Sequence, residues 1–250
     1  MKNLRDIVPD TSSWKKTGPQ MGSNPGGIYK DESGNEFYTK HSKSDNHAKN
    51  ENLANHLYRH LGVPVPDTDL ITHSNGKLGT AAPMMHIKPF NPNNKEHIQE
   101  IGKHFAAHAF LANWDAVGME NDNQVLSHKG MTTVDAGGAL NYRAQGGPKG
   151  EAFGNEVKEW DSLRHNDQTS GRIFGQMKPH EMIHSAKAVA NLKNNTIHDL
   201  VHEHGPGSDA DKHEMTKKLI NRKADIIGKA NDLAKKHKLE PIRNIDDEDV

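Results

Sequence analysis

The sequence predicts an α+β chain in two lobes, a small strand-rich one followed by a larger, mostly helical one. Three observations predict it. Up to about residue 88 the apolar residues fall in short runs broken by Gly, Pro and Asn, as short strands require. From residue 155 to 240 they recur at helical spacing instead. The 250 residues suffice for one large domain or two small lobes.

Residues 1–20 are polar, contain Pro9, Gly18 and Pro19, and read as an extended lead-in with Trp14 packing on the first lobe. The first lobe is expected over 21–88. It opens with Gly22, Ser23, Asn24, Pro25, Gly26 and Gly27, a Gly-rich loop whose small residues and main-chain N–H groups suit an anion, and which is also ordinary turn chemistry. Strands are predicted over 27–30 and 36–40, around the turn 31–35. In the second, Phe37 and Thr39 share one face and Tyr38 and Lys40 the other, so Lys40 can reach under the loop or face solvent.

Residues 45–61 read as a helix with Leu53, Ala54, Leu57, Tyr58 and Leu61 on its apolar face, Ser44 or Asp45 as cap and Gly62 as stop. Glu51 lies near its start. The prolines in 62–66 force extended backbone. Strands at 69–72 and 77–85 flank the turn Asn75-Gly76. The second, helical lobe is expected over 89–240. A long helix over 94–113 buries Ile98, Ile101, Phe105 and Ala109, and further helices are predicted at 155–164, 178–193, 196–203 and 210–238, with an acidic, frayed tail at 241–250.

Within the second lobe lies the stretch that carries chemistry, residues 113–140. Two short apolar runs, 124–126 and 131–134, surround the turn 127–130, so a hairpin forms and its ends meet. Asn123 stands just before the first strand, Asp135 just after the second, and Asp115 a short loop upstream; Asn121 competes with Asn123. Hard oxygen ligands that converge in this way suit Mg²⁺ that also holds phosphate oxygens. Beyond Asp135, the Gly-rich run to 150 suits a mobile substrate segment, in which Arg143 and Lys149 meet phosphate or an acidic substrate, or are solvated loop charges.

An Asp, then an Asn before a strand, then Asp-x-Gly after the next strand resembles a kinase catalytic core. The chain departs from the ordinary protein-kinase pattern: Asn113-Trp114-Asp115 stands where His-Arg-Asp is usual, the gap to Asn123 is longer, and the Asp-Phe-Gly position reads Asp135-Ala136-Gly137. These departures resemble the atypical kinases, in the manner of the HipA-like and phosphoinositide-kinase-like families. The resemblance covers about residues 20–145 and implies a two-lobed protein-kinase-like fold, ATP and Mg²⁺. It gives Lys40 the α- and β-phosphates, Glu51 the role of its partner, Asp115 the role of base or hydroxyl-orienting group, and Asn123 and Asp135 the metal. Gly22, Ser23, Asn24, Gly26 and Gly27 line the phosphate side, and Met85, in a hinge over 84–90, takes the adenine edge.

The expected function is thus ATP- and Mg²⁺-dependent phosphoryl transfer to a protein hydroxyl, with an unknown protein or small molecule as acceptor. Adenylyl transfer on the same fold and a non-catalytic, regulatory binding module are the alternatives.

Composition bounds the rest. The net charge of −1 gives no reason to expect nucleic-acid binding, and the lack of cysteine excludes disulfides and thiolate metal sites. No apolar run approaches the roughly 18 residues of a membrane span, and the N-terminus lacks the apolar stretch of a signal peptide. A cytoplasmic protein is expected, or a secreted effector or phage protein. There are 18 histidines; the pairs His56/His60 and His104/His108 have zinc spacing but lack a third ligand, and read as surface or half-buried groups.

Overall fold

The computed structural model describes residues 8–22, 24–165 and 168–247. Its first lobe is a five-stranded antiparallel sheet made of β1 (Lys15–Gly18), β2 (Gly26–Lys30), β3 (Glu36–His41), β4 (Asp69–Thr72) and β5 (Leu78–Pro83), in the order β1-β2-β3-β5-β4. β1 lies inside the segment read as a lead-in. Its four residues, Lys-Lys-Thr-Gly, have no apolar alternation, because an exposed edge strand needs none. Trp14, just before it, stacks on Phe37 of β3 with ring centroids 4.6 Å apart.

The helix α1 (Asp45–His60) follows β3. The Ser44 side chain accepts the His47 N–H at its start, and Gly62 takes the left-handed backbone that ends it, with φ 72°. Ala48 packs with Leu70 and Leu78 under the sheet. Leu53, Ala54, Leu57 and Tyr58 join the main core of the second lobe. One helix thereby belongs to both lobes: Ala48 near its start packs on the sheet, and Leu53 to Tyr58 in its second half pack into the second lobe.

The chain crosses over through β6 (Lys88–Pro89), which pairs with β7 (Gln124–Ser127); β7 pairs in turn with β8 (Gly130–Thr133). The single helix expected over 94–113 is two, α2 (Lys95–Gly102) and α3 (Phe105–Phe110). At the junction the His104 N–H bonds back only three residues, to the Ile101 carbonyl, and its φ and ψ of −103° and 4° leave the helical region. The apolar spacing runs through this break, so periodicity alone joins the two.

The second lobe is completed by α4 (Glu159–His165), α5 (Gln168–Phe174), α6 (Pro179–Ala190), α7 (Asn194–His204) and the long α8 (Asp209–His237). The helix expected from 155 starts only at Glu159, because Val157 gives its N–H to the Asp225 carboxylate of α8. α5 lies in a polar stretch with no apolar period. The tail is docked as far as it is described: Ile242 is buried, its N–H and carbonyl both bond to the Asn231 amide, and Asp246 pairs with buried Lys223. Among the described residues no helix is long and apolar enough to cross a membrane.

Candidate active site

The site is built where three elements meet: β3, the N-terminal half of α1 and the segment after β8. Lys40 of β3 reaches Glu51 Oε1 of α1 and Asp135 Oδ1, both at 3.1 Å. Asp135 also accepts the Gly137 N–H at 2.9 Å. Burial alone would lower the lysine's pKa, but Asp135 and then Glu51 outweigh it and raise it. Burial likewise pushes the Asp135 carboxyl up, and Lys40 with the Gly137 N–H more than reverses this. Lys40 and Asp135 are therefore charged near neutral pH. Asp135 keeps 31% of its side chain exposed, so this charge cluster is open on one side.

α1 is locked onto the segment that follows Asp135. The Asn50 amide donates to the Ala139 carbonyl at 2.9 Å and accepts the Asn141 N–H at 3.1 Å, and His47 Nε2 donates to the Gly137 carbonyl at 3.3 Å. Glu51 thus faces Lys40 because its neighbours on the same stretch of helix are pinned.

At the open end of the β7–β8 hairpin the Val134 N–H bonds to the Asn123 carbonyl at 3.1 Å, which sets Asn123 next to Asp135. The Asn123 side chain donates to the Asp115 main-chain carbonyl at 2.6 Å. The long gap between these two is taken up by a tight loop. Gly118, with φ 83°, has no room for a Cβ, which would fall 2.2 Å from Asp122 Oδ1. Asn121, the competing candidate, sits in a left-handed turn of this loop with φ 61°; the link to Asp115 is made by Asn123. Asp115 gives its N–H to Asn113 Oδ1 at 3.2 Å. Asn113 in turn donates to Tyr58 Oη of α1 at 3.0 Å, and Tyr58 meets His108 Nδ1 at 2.9 Å. Glu51 and Asp115 are consequently held by one helix.

The glycine loop joins β1 to β2. Gly26 faces Lys40 across the β2–β3 ladder, and a Cβ there would lie 2.2 Å from the Thr39 carbonyl, so only glycine permits this pairing. Gly27 is equally crowded, by the Gly18 carbonyl and the Lys16 side chain, whereas Gly22 is open to solvent and Asn24 half-buried. Ser23 lies outside the described residues. Lys16, which no local sequence pattern singles out, donates to the Gly26 carbonyl at 3.2 Å and brings a second cation to the loop. At the other end, the Met84 N–H closes the sheet on the Glu36 carbonyl at 2.9 Å. Met85 follows it, half-buried, with neither main-chain group bonded among the described residues.

One basic residue corrects the sequence reading. Lys149 is neither a solvated charge nor a phosphate contact. It is buried, and its ammonium donates to the carbonyls of Ala112, Gly138 and Leu140 at 2.6, 2.7 and 3.0 Å. Ala112 and Leu140 have φ of 50° and 56°, so Lys149 ties together two backbone segments that both leave the ordinary regions. Burial pushes its pKa down to about 7, against the opposing charge of Glu159. Arg143 is exposed and lies 5.3 Å over the Trp114 ring, where Lys149 is at 4.7 Å. Beneath this loop, Arg222 of α8 engages all five of its N–H donors with Phe110, Gly154, Glu156, Ala109 and Glu159, and Glu159 also accepts from Trp114 Nε1 at 2.7 Å.

The donors present suit Mg²⁺. Asp135 Oδ2 and the Asn123 side-chain oxygen take no hydrogen bond from a described residue, and no set of three His, Asp or Glu groups that could hold a metal occurs among the described residues. One carboxylate and one amide oxygen match an ion that keeps water and substrate phosphate as its other ligands. The histidine pairs are engaged otherwise: His60 bonds to its own helix, His56 stacks on His204 at 3.6 Å, and His108 holds Tyr58.

No protein-family profile matches the chain, and no curated protein matches it in sequence. A solved structure does match in fold: the proinflammatory kinase CtkA of Helicobacter pylori superposes with a TM-score of 0.63 at 16% identity, over 92% of this chain and 99% of that one. The fold is kinase-like. Two further structures match with TM-scores too low to carry an argument. The N-terminal fragment of LepB from Legionella pneumophila gives 0.39 at 14% identity, over 80% of this chain and 46% of that one. An aminoglycoside phosphotransferase from Alicyclobacillus acidocaldarius gives 0.36 at 10% identity, over 94% and 96%. In kinase terms, the sheet with α1 is the small lobe, and the helices from α2 onward form the large one.

Proposed function

We propose that the chain is an ATP- and Mg²⁺-dependent phosphotransferase of the atypical, HipA-like kind, acting on a protein hydroxyl. The observation that carries this reading is Lys40, held at 3.1 Å from both a helical glutamate and the acid that follows the β8 strand. A structural lysine needs one partner; a lysine shared between two lobes and left open on one side is set to receive phosphate oxygens. The likeness of the whole fold to that of a kinase supports the same reading.

Each residue then has a task. Lys40 binds the α- and β-phosphates, and Glu51 holds it in place between transfers. Gly22, Asn24, Gly26 and Gly27 cover the phosphates with main chain, helped by Lys16. The free main-chain groups of Met85 meet the adenine edge. Asn123 and Asp135 hold Mg²⁺, which when bound neutralises phosphate charge. Asp115 orients the acceptor hydroxyl and accepts its proton. Such chemistry needs mostly positioning and charge neutralisation, which this arrangement offers.

The test is thermal unfolding of the wild type and of Asp135→Ala with and without Mg²⁺ and ATP, run alongside transfer of labelled γ-phosphate to a general protein acceptor and to the chain itself. A ligand that binds only the folded state raises the midpoint. The expected result is a metal-dependent rise and label transfer in the wild type, both lost in the variant. No rise at saturating ATP would sink the assignment.

A further inference from the structure

A groove of about 780 Å³ lies between α2, α5, α6 and the chain just after α8, and shares no residue with the site around Lys40. Its floor is apolar, with Ile98, Ile173, Met177, Ile183 and Leu239. Leu239 is 38% exposed, unusual for a leucine on a chain with so few large apolar residues at its surface. Its rim is cationic, with Lys95, Lys103, Lys178 and Lys187.

The helix register sorts the charges. On α2, Lys95, Ile98, Gly102 and Lys103 share the face that lines the groove, while Glu96 and Glu100 lie off it. On α6 the same spacing presents His180, Ile183, His184 and Lys187. Two carboxylates line the groove, Glu181 and Glu240. That of Glu181 is occupied with the Lys178 N–H at 2.7 Å, as a helix cap. Lys103 pairs with Glu100 from outside the groove. Among the described residues, Lys95, Lys178 and Lys187 have no acidic partner. In a chain of net charge −1, a concave apolar surface with a rim of lysines is a local feature and not a reflection of composition.

We propose that this groove docks an acidic, amphipathic segment of a partner protein. Apolar side chains of the segment seat on Ile98, Met177 and Leu239, and its carboxylates meet Lys95, Lys178 and Lys187. Concavity selects a peptide over a flat anionic bilayer, and a volume within the roughly 300–1,000 Å³ of ordinary ligand sites accepts a few side chains. The lysines act mainly on association rate and on selectivity against basic segments. The proposal does not depend on the activity of the Lys40 site.

The test uses a phage-displayed library of random 16-residue peptides panned against the intact protein without nucleotide. Enriched peptides are expected to be acidic, with apolar residues three or four apart. In fluorescence anisotropy they should bind the wild type, weaken with added salt, and lose at least about tenfold in affinity to a Lys95→Glu/Lys178→Glu/Lys187→Glu variant. Leu239→Asp should give a similar loss, and circular-dichroism melts establish that both variants fold. No enrichment, enrichment of neutral or basic peptides, or equal binding to the triple variant would overturn the proposal. So would two alternative occupants: phosphatidylserine vesicles that sediment the wild type but not the variant, or a wild-type dimer in light scattering that the variant dissociates.

Discussion

Lys40 and Arg222 each meet a glutamate of another element, but in different surroundings. Arg222 and Glu159 are 0% and 3% exposed, and every donor of the guanidinium is already bonded. Glu51 is buried and Lys40 16% exposed, but their third member, Asp135, opens to solvent. The first cluster has no capacity left for a ligand; the second has oxygen atoms and a cation still available. The difference teaches where chemistry can occur on this fold. A saturated buried pair supports the loop that carries Asp115, and an unsaturated pair at the meeting of the lobes is where a charged ligand can enter.

That contrast can be broken most severely at Arg222. Arg222→Met leaves Glu159 buried without its charge partner, and is expected to cost about 3–5 kcal/mol in urea unfolding. Asp135→Ala should do the reverse. Stability changes by less than about 1 kcal/mol, because the group is partly exposed. Transfer of labelled phosphate falls at least about a hundredfold, since charge stabilisation at the reacting group is lost. If both variants lost stability equally, the distinction between the clusters would fail.

Lys149 sharpens it. Lys149→Met leaves three carbonyls without a donor and should cost about 1–3 kcal/mol, with the loosening confined to residues around 112 and 138–140 in hydrogen exchange. A pH slope tests the buried histidines. Burial pushes His108 down to about 3, so the folded chain leaves it neutral while the unfolded chain protonates it below its ordinary 6.5. Unfolded chains then hold more protons, and stability falls with pH from about 6.5 downward by about 1.4 kcal/mol per pH unit for this residue. Burial shifts His104 to about 4 and His56 to about 3 in the same direction. Chemical unfolding between pH 4 and 7 measures the slope, and His108→Gln should flatten it.

Much of the small lobe is legible in the sequence. Strands β2 to β5, α1 with its caps and the β7–β8 hairpin rest on local signals: alternation, the Asn75-Gly76 turn, Ser44 and Gly62. Asn123 and Asp135 are legible as candidates because the two ends of a hairpin meet, and Lys40 and Glu51 through the resemblance to a kinase core. β1 is not, since an exposed strand of four residues carries no apolar pattern. Neither is Lys16, which matters only once β1 pairs with β2 and sets it beside Gly26. The split of α2 from α3 is invisible to a periodicity that runs straight through it.

The sequence by itself determined the order of the elements, the chemical types available and the local geometry that turns and caps dictate. These depend on residues a few positions apart. Only the tertiary structure decided which charges are buried, which are saturated and which remain open. Lys149 and Lys40 look alike in the sequence, yet one is enclosed by three carbonyls and the other set between two carboxylates. Arg222 meets carbonyls more than a hundred positions away. The cost of removing a charge from water depends on what surrounds it in space, and no local pattern in the chain encodes that.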